Sequence, residues 1–307
     1  MEPGTVSDRL PSMSPEPLGE IIRGTVERLL DAQQSRELDC TAADLLRAAM
    51  GTDSEHHRPK GNLMKISVIG TGLIGAQVVG DLTAAGHEAS GYSRSTGVDL
   101  LTGDGLDDAL RGAQVAVNLT NSPTFDDDSL DFFRTSVTNL LAAAQAAGVG
   151  HLVTLSIVGV DQVPDMAYYR AKTLQENLVE AGPIPYSIVR ATQFMEFIAP
   201  TMESTTDGEV VRLPATPIQP ISSAEVAAAV AEVAEGDPLH GIRNIAGPDV
   251  FTLDELGRIT LEAKGNHRHV VTDPTAGLFA VVKGDVLTAP EGARLSSTHY
   301  RDWLRSH

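Results

Sequence analysis

The chain has 307 residues, with 23 Lys+Arg against 41 Asp+Glu and a formal net charge of −18 at pH 7. An acidic balance of that size repels phosphate backbones and argues against a nucleic-acid binder. No apolar run approaches the ~18 residues of a membrane span, and the start, MEPGTVSDRLPSMSPEPLGE, lacks both the basic and the apolar parts of a secretory signal. A single cysteine, Cys40, forbids an intrachain disulfide and fits a reducing compartment. The expectation is a cytoplasmic globular protein whose partner is a small molecule.

In the first part of the chain, Leu18, Ile21, Ile22, Val26, Leu29 and Leu30 fall on one helical face. Thr41 and Asp44 form an approximate capping box ahead of Leu45, Leu46 and Met50. The polar stretch GTDSEHHRPKGNL at 51–63 has no apolar period and reads as a linker. A two-helix segment cannot bury its own stripe, so residues 1–63 should dock on the main body or, as a homo-oligomer contact, on a second copy. No chemistry is assigned to them.

From Met64 the pattern changes. KISVI at 65–69 is a β-rich run ending in glycines, and Ile74, Val78, Val79 and Leu82 then follow a helical period closed by Gly86. Strands are expected at 87–93, 115–119, 152–155 (within an apolar run 152–157) and 186–189, with helices at 126–147 and about 165–180. Strands alternating with helices of this length define an α/β, doubly wound (Rossmann-type) parallel sheet with helices on both faces. After about residue 193 the alternation loosens, as expected for a small C-terminal substrate lobe on the 64–307 domain.

Gly70-Thr71-Gly72-Leu73-Ile74-Gly75 follows a strand and opens a helix, the context that G-x-G-x-x-G requires. The first glycine permits the tight turn, the second lets backbone approach a pyrophosphate, and the third lets helix pack on strand. The free N–H groups of the helix start then face an anion. The next strand ends GYSRST, with no acid until Asp99. An acid there would bond the ribose 2′-OH of NAD, whereas the Ser93 hydroxyl beside the Arg94 guanidinium suits a 2′-phosphate, so NADP(H) is expected ahead of NAD(H).

Tyr168 and Lys172 stand four apart on a helix and share a face. A lysine ammonium there would help lower the tyrosine pKa from its usual ~10, making it a proton donor to a developing alkoxide. Ser156, placed just past a strand, is the candidate to hydrogen-bond a substrate carbonyl. Tyr169, three residues from Lys172, is not separated from Tyr168 by spacing.

Residues 64–304 resemble the atypical short-chain dehydrogenase/reductases, specifically the NmrA-like NAD(P)H-binding branch. The likeness is carried by MKISVIGTGLIG, VNLTNSP, LSIVGVDQVPDMAYYRAK, IVRATQFMEFI and GARLSSTHYRDWL. It implies that Gly70, Gly72 and Gly75 hold pyrophosphate and Arg94 the 2′-phosphate. Asn118, Thr120 and Ser122 would line the ribose and nicotinamide side. It further implies that Tyr168 is the acid, that Lys172 lowers its pKa and holds the nicotinamide ribose, and that Gln193 and Phe194 sit at the substrate mouth. One departure is the loop itself, one residue shorter than the G-x-x-G-x-x-G usual in that branch; the other is the 63-residue extension.

No metal site is expected: His267 and His269 share a face on an anticipated strand, but no nearby Cys or paired acid completes a ligand set. The hydrolase signatures G-x-S-x-G and HExxH are absent. The resulting expectation is an NADPH-dependent reductase acting on a carbonyl, quinone or activated C=C of a small organic substrate. A non-catalytic NADP(H)-sensing module and a non-redox cyclase or isomerase on the same fold remain open at this point.

Overall fold

A computed structural model describes residues 63–307 of the protein. The expected N-terminal helices, Cys40, His56-His57 and nearly all of the linker lie outside the described residues.

The first half alternates as the apolar runs dictate. β1 (Lys65–Ile69), α1 (Leu73–Ala84), β2 (Glu88–Tyr92), α2 (Leu106–Leu110), β3 (Val115–Asn118), α3 (Asp128–Ala147), β4 (His151–Ile157), α4 (Ala167–Glu180) and β5 (Tyr186–Ala191) follow in order. The second half is more broken: α5 (Ile198–Ser204), β6 (Thr206–Asp207), β7 (Val210–Leu213), β8 (Pro217–Ile218), α6 (Ser223–Glu235), β9 (Gly241–Ala246), β10 (Phe251–Thr252), α7 (Leu253–Ala263), β11 (His269–Thr272), β12 (Arg294–Leu295) and α8 (Tyr300–Ser306).

The main sheet has seven strands in the order β12-β9-β5-β4-β3-β1-β2, and every neighbouring pair is parallel. Such a sheet is covered on both faces, so its strands read as near-continuous apolar runs rather than alternating ones. All of β3 is buried, as are the first four residues of β4. On one face Val78 and Leu82 of α1 meet Val226, Val230 and Ala234 of α6 across Ile66, Val68 and Val153 of the sheet. On the other, Val137, Leu140 and Ala144 of α3 and Val179 of α4 cover Ala116, Leu152 and Ile188. A third core, with Met195, Ile198, Leu213, Leu256 and Tyr300, holds the lobe together.

The lobe does not occupy everything past residue 193. α6 returns to cover the sheet, β9 pairs with β5, and β12 pairs with β9. The Glu225 carboxylate on α6 accepts backbone N–H bonds from Ser297 (2.8 Å) and Thr298 (3.1 Å), pinning the chain that leaves β12. Smaller differences from the sequence reading have local causes. Ser156 lies inside β4 rather than past it, and β11 begins at His269, so His267 is not on a strand and the pair does not share a strand face. Among the described residues no group of His, Cys, Asp and Glu could hold a metal ion. No helix among them is long and apolar enough to cross a membrane.

Candidate functional site

The chain leaves β1 for β2 on one side and later places β3 on the other, so a crevice opens beyond the carboxyl ends of β1 and β3, the usual ligand position in such sheets. Gly70 turns there with φ +101°, and its N–H donates to the Tyr92 carbonyl at 2.7 Å. A β-carbon on Gly70 would lie 2.8 Å from the Leu119 carbonyl carbon, so only glycine lets the two strand ends approach. Gly72 caps α1 with no side-chain hydrogen bond, and a β-carbon there would meet nothing within 4 Å. The first intrahelical bond is donated by Ala76 to the Gly72 carbonyl at 3.1 Å. The preceding amides of Leu73, Ile74 and Gly75 therefore remain for an anion, as helix starts leave them. The loop, one residue shorter than is usual in the branch it resembles, thus forms a tight turn and an open helix start.

These residues form one wall of a cavity of about 290 Å³, whose far end is built from α4, the segment after β5, and the lobe. Gly72, Leu73, Ile74, Gly75, Thr120, Ser156, Tyr168, Lys172, Gln193 and Phe194, all expected at the site, line it. Gly70, which shapes the turn, is not in its wall, and neither are Thr71, Ser93, Arg94, Asn118 and Ser122. Thr71 packs its methyl toward Gly91 of β2, where a β-carbon would come within 2.7 Å of it. Arg94 is exposed in the turn after β2, with no side-chain partner among the described residues. Asn118 is buried behind the wall, its Oδ1 accepting the Thr120 N–H (3.2 Å) and hydroxyl (2.7 Å) while its Nδ2 has no partner. Ser122 is buried and bonds within its own turn, accepting from the Thr124 N–H at 3.3 Å.

The Tyr168 ring lies 4.7 Å from Phe125 and 6.2 Å from Phe133 between centroids, and its hydroxyl donates to Asn121 Oδ1. Burial pushes its pKa well above the usual phenol value, with only the Asn121 bond acting the other way. Lys172 is 5% exposed; its Nζ donates to the Leu155 carbonyl at 2.7 Å and to Gln175 Oε1, 5.1 Å from the centre of the Phe133 ring. Burial brings its pKa down to about 7, with Glu176 opposing. The sequence expectation that Lys172 makes Tyr168 more acidic therefore does not hold here. The amine spends its hydrogen bonds elsewhere, and desolvation governs both groups. A high pKa keeps Tyr168 protonated, which is what a proton donor needs at rest.

Tyr169 also lines the cavity, and its hydroxyl accepts from Gln193 Nε2 at 3.3 Å. Among the wall residues that the sequence did not single out are Asn121, which holds Tyr168, Thr192, and Phe279 from the segment after β11. Phe194 and Phe197, stacked at 5.5 Å between centroids, shape its apolar end. Several buried polar atoms there have no partner: Ser156 Oγ, Thr192 Oγ1 and Gln193 Oε1. Buried polar groups are nearly always bonded, so these three atoms retain hydrogen-bonding capacity beside the cavity.

The open helix start, the glycine at its cap and the orphaned polar atoms beyond it fit a dinucleotide. The fold is the doubly wound α/β fold of dinucleotide-binding proteins. The chain belongs to the NAD(P)H-binding family, whose model matches residues 70–237. It is 30% identical over 202 residues, 60% of this chain and 68% of the relative, to (4-alkanoyl-5-oxo-2,5-dihydrofuran-3-yl)methyl phosphate reductase of Streptomyces griseus subsp. griseus. Among solved structures it resembles the NADPH complex of the Escherichia coli NADPH-dependent quinone oxidoreductase. That likeness has a TM-score of 0.55, 20% identity, and covers 68% of this chain and 77% of that one. It also resembles Citrobacter sp. triphenylmethane reductase with NADP(H), with a TM-score of 0.53, 19% identity, and 68% and 79% of the two chains covered. The UDP-glucose 4-epimerase of Thermus thermophilus with NAD gives a TM-score of 0.56, 20% identity, and 68% and 86%. At these identities the structural likenesses establish the fold.

Proposed function

We propose that the protein is an NADPH-dependent reductase of a carbonyl, quinone or activated C=C in a small organic substrate. The observation that carries this reading is the continuity of one cavity from the free amides of α1 to the Tyr168 hydroxyl. The Streptomyces griseus relative supports it, because its named substrate has a ring C=C conjugated to two carbonyls.

The amides of Leu73, Ile74 and Gly75 would bind the pyrophosphate, and Arg94 with Ser93 the 2′-phosphate. Thr120 and Lys172 would hold the ribose and nicotinamide side, with Asn118 supporting Thr120 from behind. When bound, the nicotinamide supplies two electrons and a hydrogen nucleus as a hydride equivalent. Ser156 Oγ, which has no partner within the protein, donates to the substrate oxygen and fixes its position. Tyr168 turns its O–H from Asn121 to that oxygen and releases its proton as negative charge develops there. Asn121 then bonds the phenolate oxygen through its amide until a solvent proton restores the hydroxyl. The Phe125, Phe194 and Phe197 rings keep water from the reacting bond.

The test is a fluorescence titration of wild type and Arg94→Ala with NADPH and NADH, followed by NADPH consumption with enones and quinones. Wild type should bind NADPH more tightly than NADH. Arg94→Ala should lose about tenfold or more on NADPH alone, the weight of one charge-assisted hydrogen bond. Equal affinity for both nucleotides would overturn the cofactor assignment, and binding without consumption of NADPH across the panel would overturn the reductase reading.

A further inference from the structure

Tyr168 and Tyr169 are neighbours on α4, so their side chains leave the helix about 100° apart and reach different parts of the cavity. Tyr168 turns toward Asn121 and Phe125, whereas Tyr169 turns toward Gln193 after β5. Tyr169 is 3% exposed, and its hydroxyl accepts from Gln193 Nε2, which leaves its own O–H uncommitted. Beside it Gln193 Oε1 and Thr192 Oγ1 are buried without partners, and Thr192 is 1% exposed. The backbone there is held: the Thr192 N–H donates to the Ile245 carbonyl at 3.1 Å, and the Gln193 carbonyl accepts from the Ile221 N–H at 3.0 Å. All three residues line the cavity. The proposed reaction uses Tyr168, Asn121 and Ser156 and leaves this second group idle.

We infer that Tyr169, Gln193 and Thr192 bind a second oxygen of the substrate, so that the substrate is a small molecule bearing two oxygen functions, one reduced and one held. This rests on the reductase reading and adds to it the class of substrate. The held oxygen accepts the Tyr169 O–H and the Thr192 hydroxyl, and a hydroxyl at that position would donate to Gln193 Oε1. Both stations are neutral, and Lys172 is the only charged residue type among the described lining residues, with Nζ already bonded to Leu155 and Gln175. The fitting class is accordingly the dicarbonyls, quinones included, in preference to monocarbonyls. A desolvated group left unpaired by the wrong substrate is how such sites discriminate.

A matched pair of probes tests this: 2-cyclopentene-1,4-dione and 2-cyclopenten-1-one, which differ by the second oxygen. With Tyr169→Phe, kcat/KM for the dione should fall at least about tenfold, mainly through KM, as expected for one lost hydrogen bond in a buried site. The monoketone should change less than twofold, and NADPH affinity should stay as in wild type. Gln193→Leu should show the same pattern, a control in case either variant folds poorly. An equal loss on both probes would overturn the inference. A loosened NADPH would also overturn it, because the group would then serve the nicotinamide carboxamide. If neither probe is reduced while NADPH binds, the reductase reading fails by itself. The station is then judged by saturation-transfer NMR on the NADP⁺-loaded protein, where signal on the dione that Tyr169→Phe abolishes supports it and no signal overturns it.

Discussion

The carbonyl oxygen of Gly70 stands 1.8 Å from where a β-carbon on Gly75 would be. The turn and the helix start thus interlock through backbone alone, and the two outer glycines of the loop are steric necessities. Gly72 between them faces open space. The two positions should respond differently to the same change. Gly75→Ala forces backbone apart and should lower the thermal midpoint markedly, while Gly72→Ala, at φ −74°, should keep the wild-type midpoint and weaken NADPH binding. Thermal unfolding and nucleotide titration on the two variants separate these outcomes; a Gly72→Ala protein that binds NADPH normally would contradict the placement of the pyrophosphate.

Removing the Tyr168 hydroxyl tests the proton donor. Tyr168→Phe should lower kcat by about 100-fold or more, the usual weight of general acid catalysis, with NADPH affinity unchanged because the ring still packs on Phe125 and Phe133. Asn121→Ala should cost less, since the tyrosine keeps its proton and loses only its rest position. Steady-state kinetics with a reducible enone decides it, and a Tyr168→Phe enzyme of full activity would sink the assignment.

The buried amine of Lys172 should leave a mark on stability. Its proton leaves near pH 7 in the folded protein against a usual lysine value of 10.5. Between those values the unfolded chain binds more protons, so stability rises with pH, by up to about 1.4 kcal/mol per unit. Above about pH 10 the buried phenols of Tyr168 and Tyr169, pushed up by desolvation, reverse the trend. Urea unfolding of wild type and Lys172→Met at pH 7, 8 and 9 should show the difference moving in favour of wild type. A constant difference would contradict the low lysine pKa.

Behind the site Arg190 of β5 donates to Glu176 of α4 through Nε (2.9 Å) and Nη2 (2.5 Å), with both side chains largely buried. The guanidinium's other acid, Asp161, is at 3.3 Å and half exposed. Glu176→Ala should cost about 3–5 kcal/mol by leaving the guanidinium uncompensated, and adding Arg190→Met should recover much of it. Denaturant unfolding of the single and double variants measures both.

What could be read from the sequence was what local spacing controls. The loop from Gly70 to Gly75 was legible because its contacts are with the adjoining strand and helix, and Tyr168 and Lys172 because helical spacing puts them on one face. Within TNSP the family resemblance pointed to Thr120 and Ser122 and spacing offered nothing on Asn121, since an irregular turn has no period to say which side chain enters the cavity. Phe279 was invisible for another reason: it reaches the wall by tertiary packing from a segment distant in the chain. Strand β9, GIRNIA, carries Arg and Asn and is only partly buried, and β12 has two residues. Neither offered an apolar run that would place it in the main sheet. The state of Lys172 was misjudged because its charge depends on burial and on Leu155 and Gln175, which the spacing to Tyr168 does not report.

Because β9 and β12 fall between lobe segments in the chain yet complete the sheet beside β5, the lobe is stitched into the frame at several points. No single cut near residue 193 yields an intact nucleotide half, and no simple graft of another protein's tail would supply a new substrate end without also replacing the outer strands. Divergence of specificity in such a molecule has to proceed by side-chain and loop changes on a retained frame, with Thr192, Gln193 and the Phe279 segment as the accessible points of variation.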